Sequence, residues 1–237
     1  MIPILEVCVP TTKRTKVSST TAVDPYVTDL LGKITEGKRI LNLGKGEKLF
    51  SQGDPADSIF FIQSGRVKLT VVSAAGKEAV ITVLGGHRFV GEGALVGQSL
   101  RISTATVLES STVFGIERVT LVKALYQQPE LSEKFIAALL ARNIDLEGDL
   151  CDQLFNHSEK RLARVLLKLA RLGDHDLVPD AKLPMLSHET LAEMVGTTRS
   201  RITHFMNKFR TMGLIDYDGE RDLTMRTELL TDVVLHD

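Results

Sequence analysis

Short apolar segments separated by glycine dominate the chain between residues 40 and 117. They predict strands at 48–50, 58–62, 67–72, 79–84, 103–108 and 112–116. A glycine stands in nearly every gap, where a chain reversal needs a flexible backbone. The gaps are too short for the crossover helices that parallel strands require. The pattern therefore predicts an antiparallel β-sandwich or barrel.

At Pro129 the pattern changes to that of a long helix, and no further proline occurs before Pro179. Apolar residues recur at heptad spacing. One heptad position is occupied by Ile136, Asn143 and Leu150, and the other by Leu139 and Leu146 or by Leu140 and Leu154. A helix over 129–156 with such a seam either pairs with a second copy of itself or packs on its own sheet. We favour a dimerisation helix, in which Asn143 would fix the register.

Residues 187–210 predict two short helices joined by a turn at Gly196, the spacing of a helix-turn-helix motif. A preceding helix begins at Ser158, and a loop with Pro179 and Pro184 follows it. In the second helix of the motif the apolar residues share one face, and polar residues face outward. The candidate DNA-contacting residues are Thr198, Arg199, Ser200, Arg201, Thr203, His204, Asn207 and Lys208.

Local charge supports a nucleic-acid interface, because no carboxylate occurs between Glu193 and Asp216. A strand and an Asp-Gly turn at 214–220 predict a wing. The alternative is an ordinary helical hairpin in a core. Over the whole chain, 29 Lys and Arg balance 30 Asp and Glu. This near-neutral charge excludes a protein that coats nucleic acid through its overall field.

The 237 residues allow two small domains. Residues 1–23 include a polar tract without periodicity at 11–21 and predict a disordered arm. Cys8 and Cys151 are the only cysteines, so we expect reduced thiols and a cytoplasmic protein. No signal peptide or membrane-spanning segment is indicated.

A second cluster of functional residues follows the predicted strand at 79–84. A ligand carrying ribose and phosphate would find an acceptor for its hydroxyl groups in Glu92, close backbone approach at Gly91 and a phosphate donor in Arg101, with Ser103 nearby. The alternative is a salt bridge between Glu92 and Arg101 that holds a loop. Spacing alone does not separate these two interpretations.

The glycine-punctuated strands between Gly44 and Leu69, the pair Gly91-Glu92, the long helix and the helix-turn-helix together resemble the Crp/Fnr family of transcription regulators over about residues 26–230. The resemblance implies an α+β protein with an antiparallel, cyclic-nucleotide-binding-like β-roll at 24–128, a dimerisation helix at 129–156 and a winged helix-turn-helix at 157–237. It implies a homodimer that binds palindromic promoter sites in double-stranded DNA and acts on RNA polymerase.

The effector is less defined, because the chain departs from the family pattern. Ile102 stands between Arg101 and Ser103, and Leu146 and Glu147 occupy the helix positions where cyclic-AMP binders have a Thr-Ser pair. Both departures weigh against cyclic AMP. The residues indicate no certain cofactor, and a cyclic nucleotide remains the candidate effector. A single Cys8 cannot hold an iron–sulfur cluster, and His87 is interpreted as a loop residue rather than a haem ligand.

Two other function classes share parts of this pattern. A cyclic-nucleotide-binding signalling module would use its C-terminal helices to bind protein, and the acid-free basic helix argues against it. A metal-dependent enzyme of the cupin type needs several histidines in its barrel, whereas His87 is the only one in the β-domain. We therefore expect a DNA-binding regulator and not an enzyme.

Overall fold

A computed structural model describes residues 26–171, 180–184, 186–218 and 222–235. The helices are α1 (Tyr26–Gly32), α2 (Arg118–Gln127), α3 (Pro129–Phe155), α4 (Ser158–Arg171), α5 (His188–Val195), α6 (Arg199–Thr211) and α7 (Thr227–Leu235). The strands are β1 (Lys38–Leu43), β2 (Lys48–Phe50), β3 (Ser58–Ser64), β4 (Val67–Val72), β5 (Glu78–Leu84), β6 (Arg88–Val90), β7 (Thr104–Val107), β8 (Ser111–Glu117), β9 (Asp180–Pro184), β10 (Ile215–Asp218) and β11 (Asp222–Arg226).

The first eight strands form two four-stranded antiparallel sheets, ordered β1-β8-β3-β6 and β2-β7-β4-β5. This arrangement confirms the antiparallel architecture expected from the glycine-punctuated segments. Buried aromatic and branched residues of both sheets fill the space between them, among them Phe60, Ile62 and Val67. Two strands lie outside the predicted segments. Their apolar stretches are short, and they are stabilised by pairing, β1 with β8 and β6 with β3.

Helix α3 begins at Pro129, which suits a first helical position because proline has no N–H to leave unsatisfied. Its first turns are fixed by Leu131 and Phe135, which are buried against the β-roll. Beyond them apolar side chains stay exposed along the helix, at Ile136, Leu140, Ile144, Leu146, Leu150, Leu154 and Phe155. Leu139 instead packs on the core of its own domain.

The C-terminal part packs four helices and a three-stranded antiparallel sheet, ordered β10-β11-β9, around one apolar core. The sequence predicts a loop with Pro179 and Pro184. That prediction is wrong for residues 180–184, which form strand β9. Pairing with β11 accounts for the difference, because β9 lies at the edge of the sheet, where proline is tolerated. The predicted arm at 1–23 and the wing turn at Gly219 lie outside the described residues.

The two folded parts touch through β5. Val83, which is 3% exposed, belongs to the apolar core of the C-terminal part. Beside it, Lys68 Nζ lies 3.9 Å from Glu193 Oε2 on α5. The first helix of the predicted helix-turn-helix therefore rests on the β-roll. None of the helices in the described ranges is long and apolar enough to cross a bilayer.

Candidate DNA-binding and effector sites

The predicted helix-turn-helix is formed by α5 and α6. Each helix is capped by a side chain that satisfies a free N–H of its first turn. Ser187 Oγ accepts from Thr190 N at 3.0 Å, and Thr198 Oγ1 accepts from Arg201 N at 3.4 Å. Between them Gly196 adopts φ 68°, a left-handed conformation that glycine adopts without strain. These local features set where each helix begins and how the turn closes.

The inner faces of α5 and α6 hold the pair in place. The buried residues follow helical spacing and include Leu191 and Val195 on α5 and Ile202, Phe205, Met206 and Phe209 on α6. They join the apolar core that α4 and the small sheet complete. The opposite face of α6 is exposed, while the apolar core holds the helix in place.

Most of the predicted DNA-contacting residues lie on that outward face. The exposed ones are Thr198, Arg199, Ser200, Arg201, His204, Asn207 and Lys208. The Arg199 side chain is 72% exposed and only 3.8 Å from Glu189 Oε2, an exposed pair that contributes little to stability. Lys208 differs, because its Nζ lies 2.7 Å from Glu159 Oε1 on α4. Thr203 is half-buried.

Thr203 is linked to α5 by a contact that the sequence did not indicate. Its Oγ1 lies 2.9 Å from His188 Nδ1 and 3.0 Å from the carbonyl oxygen of Arg199. Burial lowers the pKa of His188, and the positive charge of Arg199 lowers it further. Both effects favour the neutral form of His188 beside α6. Its position at the start of α5 matches no sequence motif that would identify it as a functional residue.

In the β-roll, the predicted phosphate donor Arg101 is 5% exposed and points inward. Nη1 donates to Gly91 O at 3.2 Å and Nη2 to Ser58 O at 2.6 Å. The guanidinium also lies 4.4 Å from the centroid of the Phe50 ring. Burial lowers the pKa of Arg101, opposed by the negative charges of nearby carboxylates. Its Nε is buried and has no hydrogen-bond acceptor within the described ranges.

Glu92 is engaged by α3. Its carboxylate accepts a short hydrogen bond from Arg142 Nη1. Next to this pair, Arg88 Nη2 lies 3.8 Å from Asp145 Oδ2. No ion pair joins Glu92 to Arg101 among the described residues, so the salt bridge considered from the sequence does not form. Sequence spacing could not reveal Arg142, since it lies 50 residues from its partner.

The glycine before Glu92 brings these groups together. Gly91 has φ 79°, and a Cβ there would lie 2.5 Å from Arg101 Nη1. A side chain at this position would displace the arginine, so the close packing requires glycine. Ser103 is 8% exposed. The structure thus gathers Gly91, Glu92 and Arg101 around one turn, with both charged side chains already bonded within the chain.

Comparison with protein families matches both parts. The model of the cyclic nucleotide-binding domain matches residues 40–128, and that of the Crp-like helix-turn-helix domain matches residues 160–229. The chain belongs to the Crp/Fnr family of transcription regulators. The α+β architecture, with a cyclic-nucleotide-binding-type domain before a Crp-like helix-turn-helix, agrees with the expectation from the sequence.

Curated relatives of this Crp/Fnr regulator carry the same pairing. The CRP-like cAMP-activated global transcriptional regulator of Mycobacterium tuberculosis is 26% identical over 201 residues, which cover 84% of this chain and 90% of the relative. The cyclic AMP receptor protein of Thermus thermophilus is 29% identical and covers 72% of this chain and 76% of the relative. Among solved structures, FixK2 from Bradyrhizobium japonicum has a TM-score of 0.71 at 17% identity, covering 84% of this chain and 98% of FixK2.

Proposed function

We propose that this Crp/Fnr regulator binds two-fold symmetric promoter sites in double-stranded DNA as a homodimer, with a small anionic effector bound in the β-roll. The outward face of α6 carries this proposal. Its apolar side is buried against the core of the C-terminal part. Its exposed side presents basic and hydrogen-bonding side chains at the N-terminal half of the helix. A recognition helix reads base edges with that part of its surface.

Within that face we assign Arg199, Ser200, Thr203 and His204 to base edges. Thr198, Arg201, Asn207 and Lys208 are assigned to the flanking backbone. Lys208 would have to exchange Glu159 for a phosphate, since its Nζ is now paired. An exposed guanidinium such as that of Arg199 can donate two parallel hydrogen bonds to guanine.

Dimerisation would cover the exposed apolar stripe of α3. Ile136, Leu140, Leu150 and Leu154 fall at the two seam positions of a heptad and are each at least 56% exposed. Of the alternative pair for the second position, Leu139 packs on the core of its own domain and Leu146 is 40% exposed. Paired α3 helices would set two copies of α6 side by side, as a palindromic site requires.

The effector proposal rests on the unsatisfied donor of Arg101. A buried N–H without an acceptor is unfavourable, and a phosphate or carboxylate oxygen of a ligand would satisfy Nε. A cyclic nucleotide would also need the carboxylate of Glu92 for its ribose hydroxyl, which Arg142 now holds. We propose that effector binding releases Glu92 from α3. Bound at promoters in the cytoplasm, the dimer would act on RNA polymerase rather than catalyse a reaction.

Selection of bound fragments from sheared genomic DNA tests this function. We expect enrichment of sites with two inverted half-sites about one helical turn apart, and no enrichment with Arg199→Ala at unchanged oligomeric state. Arg39→Ala, an exposed arginine on β1, is the matched control and should select the same sites. If the chain enriches no DNA and retains protein partners instead, the signalling-module alternative is correct.

A further inference from the structure

We infer that Thr203 discriminates thymine in the half-site through its methyl group, held in place by His188. The inference rests on the proposed DNA-binding function and names a specificity determinant within it. The evidence for it is the two hydrogen bonds made by the Thr203 hydroxyl. Threonine could otherwise read a base with either its hydroxyl or its methyl group, and only the methyl group distinguishes thymine by apolar contact.

The single proton of the Thr203 hydroxyl and one of its two acceptor lone pairs are used inside the protein. The carbonyl oxygen of Arg199 can only accept, so the hydroxyl donates its one proton there, at 3.0 Å. The 2.9 Å contact with His188 then requires that Nδ1 carries a proton and donates to Oγ1. This assignment fixes the tautomer of the imidazole. It is consistent with the lowered pKa of His188, which burial and the charge of Arg199 cause.

These bonds orient the Thr203 side chain. One acceptor lies one turn back along α6, and the donor lies on α5. The hydroxyl has no proton left to donate to thymine O4, so the γ-methyl makes the contact with thymine. In the major groove the C5-methyl of thymine is the apolar feature that such a group can contact. Neighbouring Ser200 has no γ-methyl, and its exposed hydroxyl provides the contrast on the same face.

Replacement of thymine by deoxyuridine isolates this contact, because it removes the C5-methyl and leaves base pairing intact. Duplexes carrying the selected site are substituted at one thymine position at a time, symmetrically in both half-sites. We expect one position at which the wild-type affinity falls about fourfold per half-site, or about 15-fold for the site, the effect of burying one methyl group on each side. Other thymine positions should change little.

Variants separate the methyl group from the hydroxyl. Thr203→Ser should bind the thymine and uracil duplexes alike, and Thr203→Val, which keeps a methyl group, should retain discrimination. His188→Ala should reduce the thymine-to-uracil ratio, whereas a merely structural role would weaken binding to both duplexes equally. Ser200→Ala should leave the ratio unchanged at the position that Thr203 contacts.

The outcomes distinguish this inference from the function on which it rests. A wild-type protein that binds no DNA overturns both. A wild-type protein that binds its site but shows equal affinity for every uracil-substituted duplex overturns only the role of Thr203. Discrimination that survives in Thr203→Ser overturns it as well, since no methyl group remains at that position.

Discussion

Arg101, to which we assign an anionic effector in the proposal above, also makes hydrogen bonds inside the β-roll. Its hydrogen bonds to Gly91 O and Ser58 O join the turn before Glu92 to strand β3. An arginine that served only to bind a ligand would be exposed, and its replacement would not change the free energy of unfolding. A buried arginine bonded to main-chain carbonyls leaves those carbonyls unsatisfied when it is replaced.

We therefore expect Arg101→Met to lower the free energy of unfolding by about 1.5–3 kcal/mol in the absence of any ligand, the range for hydrogen bonds of charged groups. Urea denaturation measures this change. Lys45→Met, at an exposed loop position, is the control and should stay within about 0.5 kcal/mol of wild type. Equal stability of Arg101→Met and wild type would show that the inward hydrogen bonds contribute nothing.

The lowered pKa of His188 leads us to expect that the stability of the C-terminal part depends on pH. Burial and Arg199 place its pKa in the folded protein below the unfolded value of about 6.5. The unfolded chain therefore takes up the proton first as the pH falls, and the folded state loses stability below about pH 6.5. We expect the free energy of unfolding to fall between pH 7.5 and 5.5 by more in wild type than in His188→Gln. An identical decline in the two proteins would contradict this account.

At the scale of elements, the turn that carries Glu92 and helix α3 are joined by two neighbouring ion pairs, Glu92 with Arg142 and Arg88 with Asp145. They connect the proposed effector site to the helix that precedes the C-terminal helix-turn-helix domain. A ligand that takes Glu92 has to break the first pair, so its binding would be transmitted to α3. A ligand shifts a conformational equilibrium when it binds one conformation more tightly than the other. Here it would bind the conformation in which Glu92 is released from Arg142.

Arg142→Met should therefore raise the affinity for a cyclic nucleotide about fivefold, because the competing pair, worth about 1 kcal/mol, is gone. Calorimetric titration with cyclic AMP and cyclic GMP measures it, with Glu92→Gln as the variant expected to lose binding. Lys134→Met, on the same helix, serves as the control. A lower affinity in Arg142→Met would mean that Arg142 contacts the ligand itself.

The elements that were predictable are those whose pattern is local. Glycine-separated strands, the Pro129 start of α3 and the α5–α6 hairpin follow from turns, caps and apolar spacing within each segment. Strand β9 was missed because its stability comes from pairing with β11, about 40 residues later in the chain. The partners of Arg101 and Glu92 were missed for the same reason, since Ser58 and Arg142 approach them only through the tertiary fold.

At the scale of the whole molecule, the exposed apolar stripe of α3 supports the proposed homodimer. Asn143 Nδ2 donates to Glu147 Oε1 at 2.7 Å in the middle of the seam. A polar residue between apolar seam residues fixes the register of paired helices. The β-roll meanwhile contacts α5 through Val83 and Lys68. A dimer would thus hold two recognition helices at a separation that the β-rolls can influence.

Leu140→Glu should convert the dimer to monomer, because a carboxylate would be buried in the seam of each α3 pair. Sedimentation equilibrium measures the change, and affinity for the two-fold site should fall with it. Gly148→Glu adds the same charge on α3, where a Cβ meets no atom within 4 Å, and should remain dimeric. A wild-type protein that sediments as a monomer would contradict the role given to the stripe.

The central claim, that α6 reads DNA with a compact basic face, is tested most directly by fluorescence anisotropy of a selected site over a range of salt concentrations. Wild type should lose about a thousandfold in affinity between ~50 and ~200 mM salt, as expected for several phosphate contacts. Arg199→Ala should keep a similar salt dependence but bind the selected site no better than a scrambled duplex. Equal preference for the selected site in wild type and Arg199→Ala, or binding that does not respond to salt, would contradict the account.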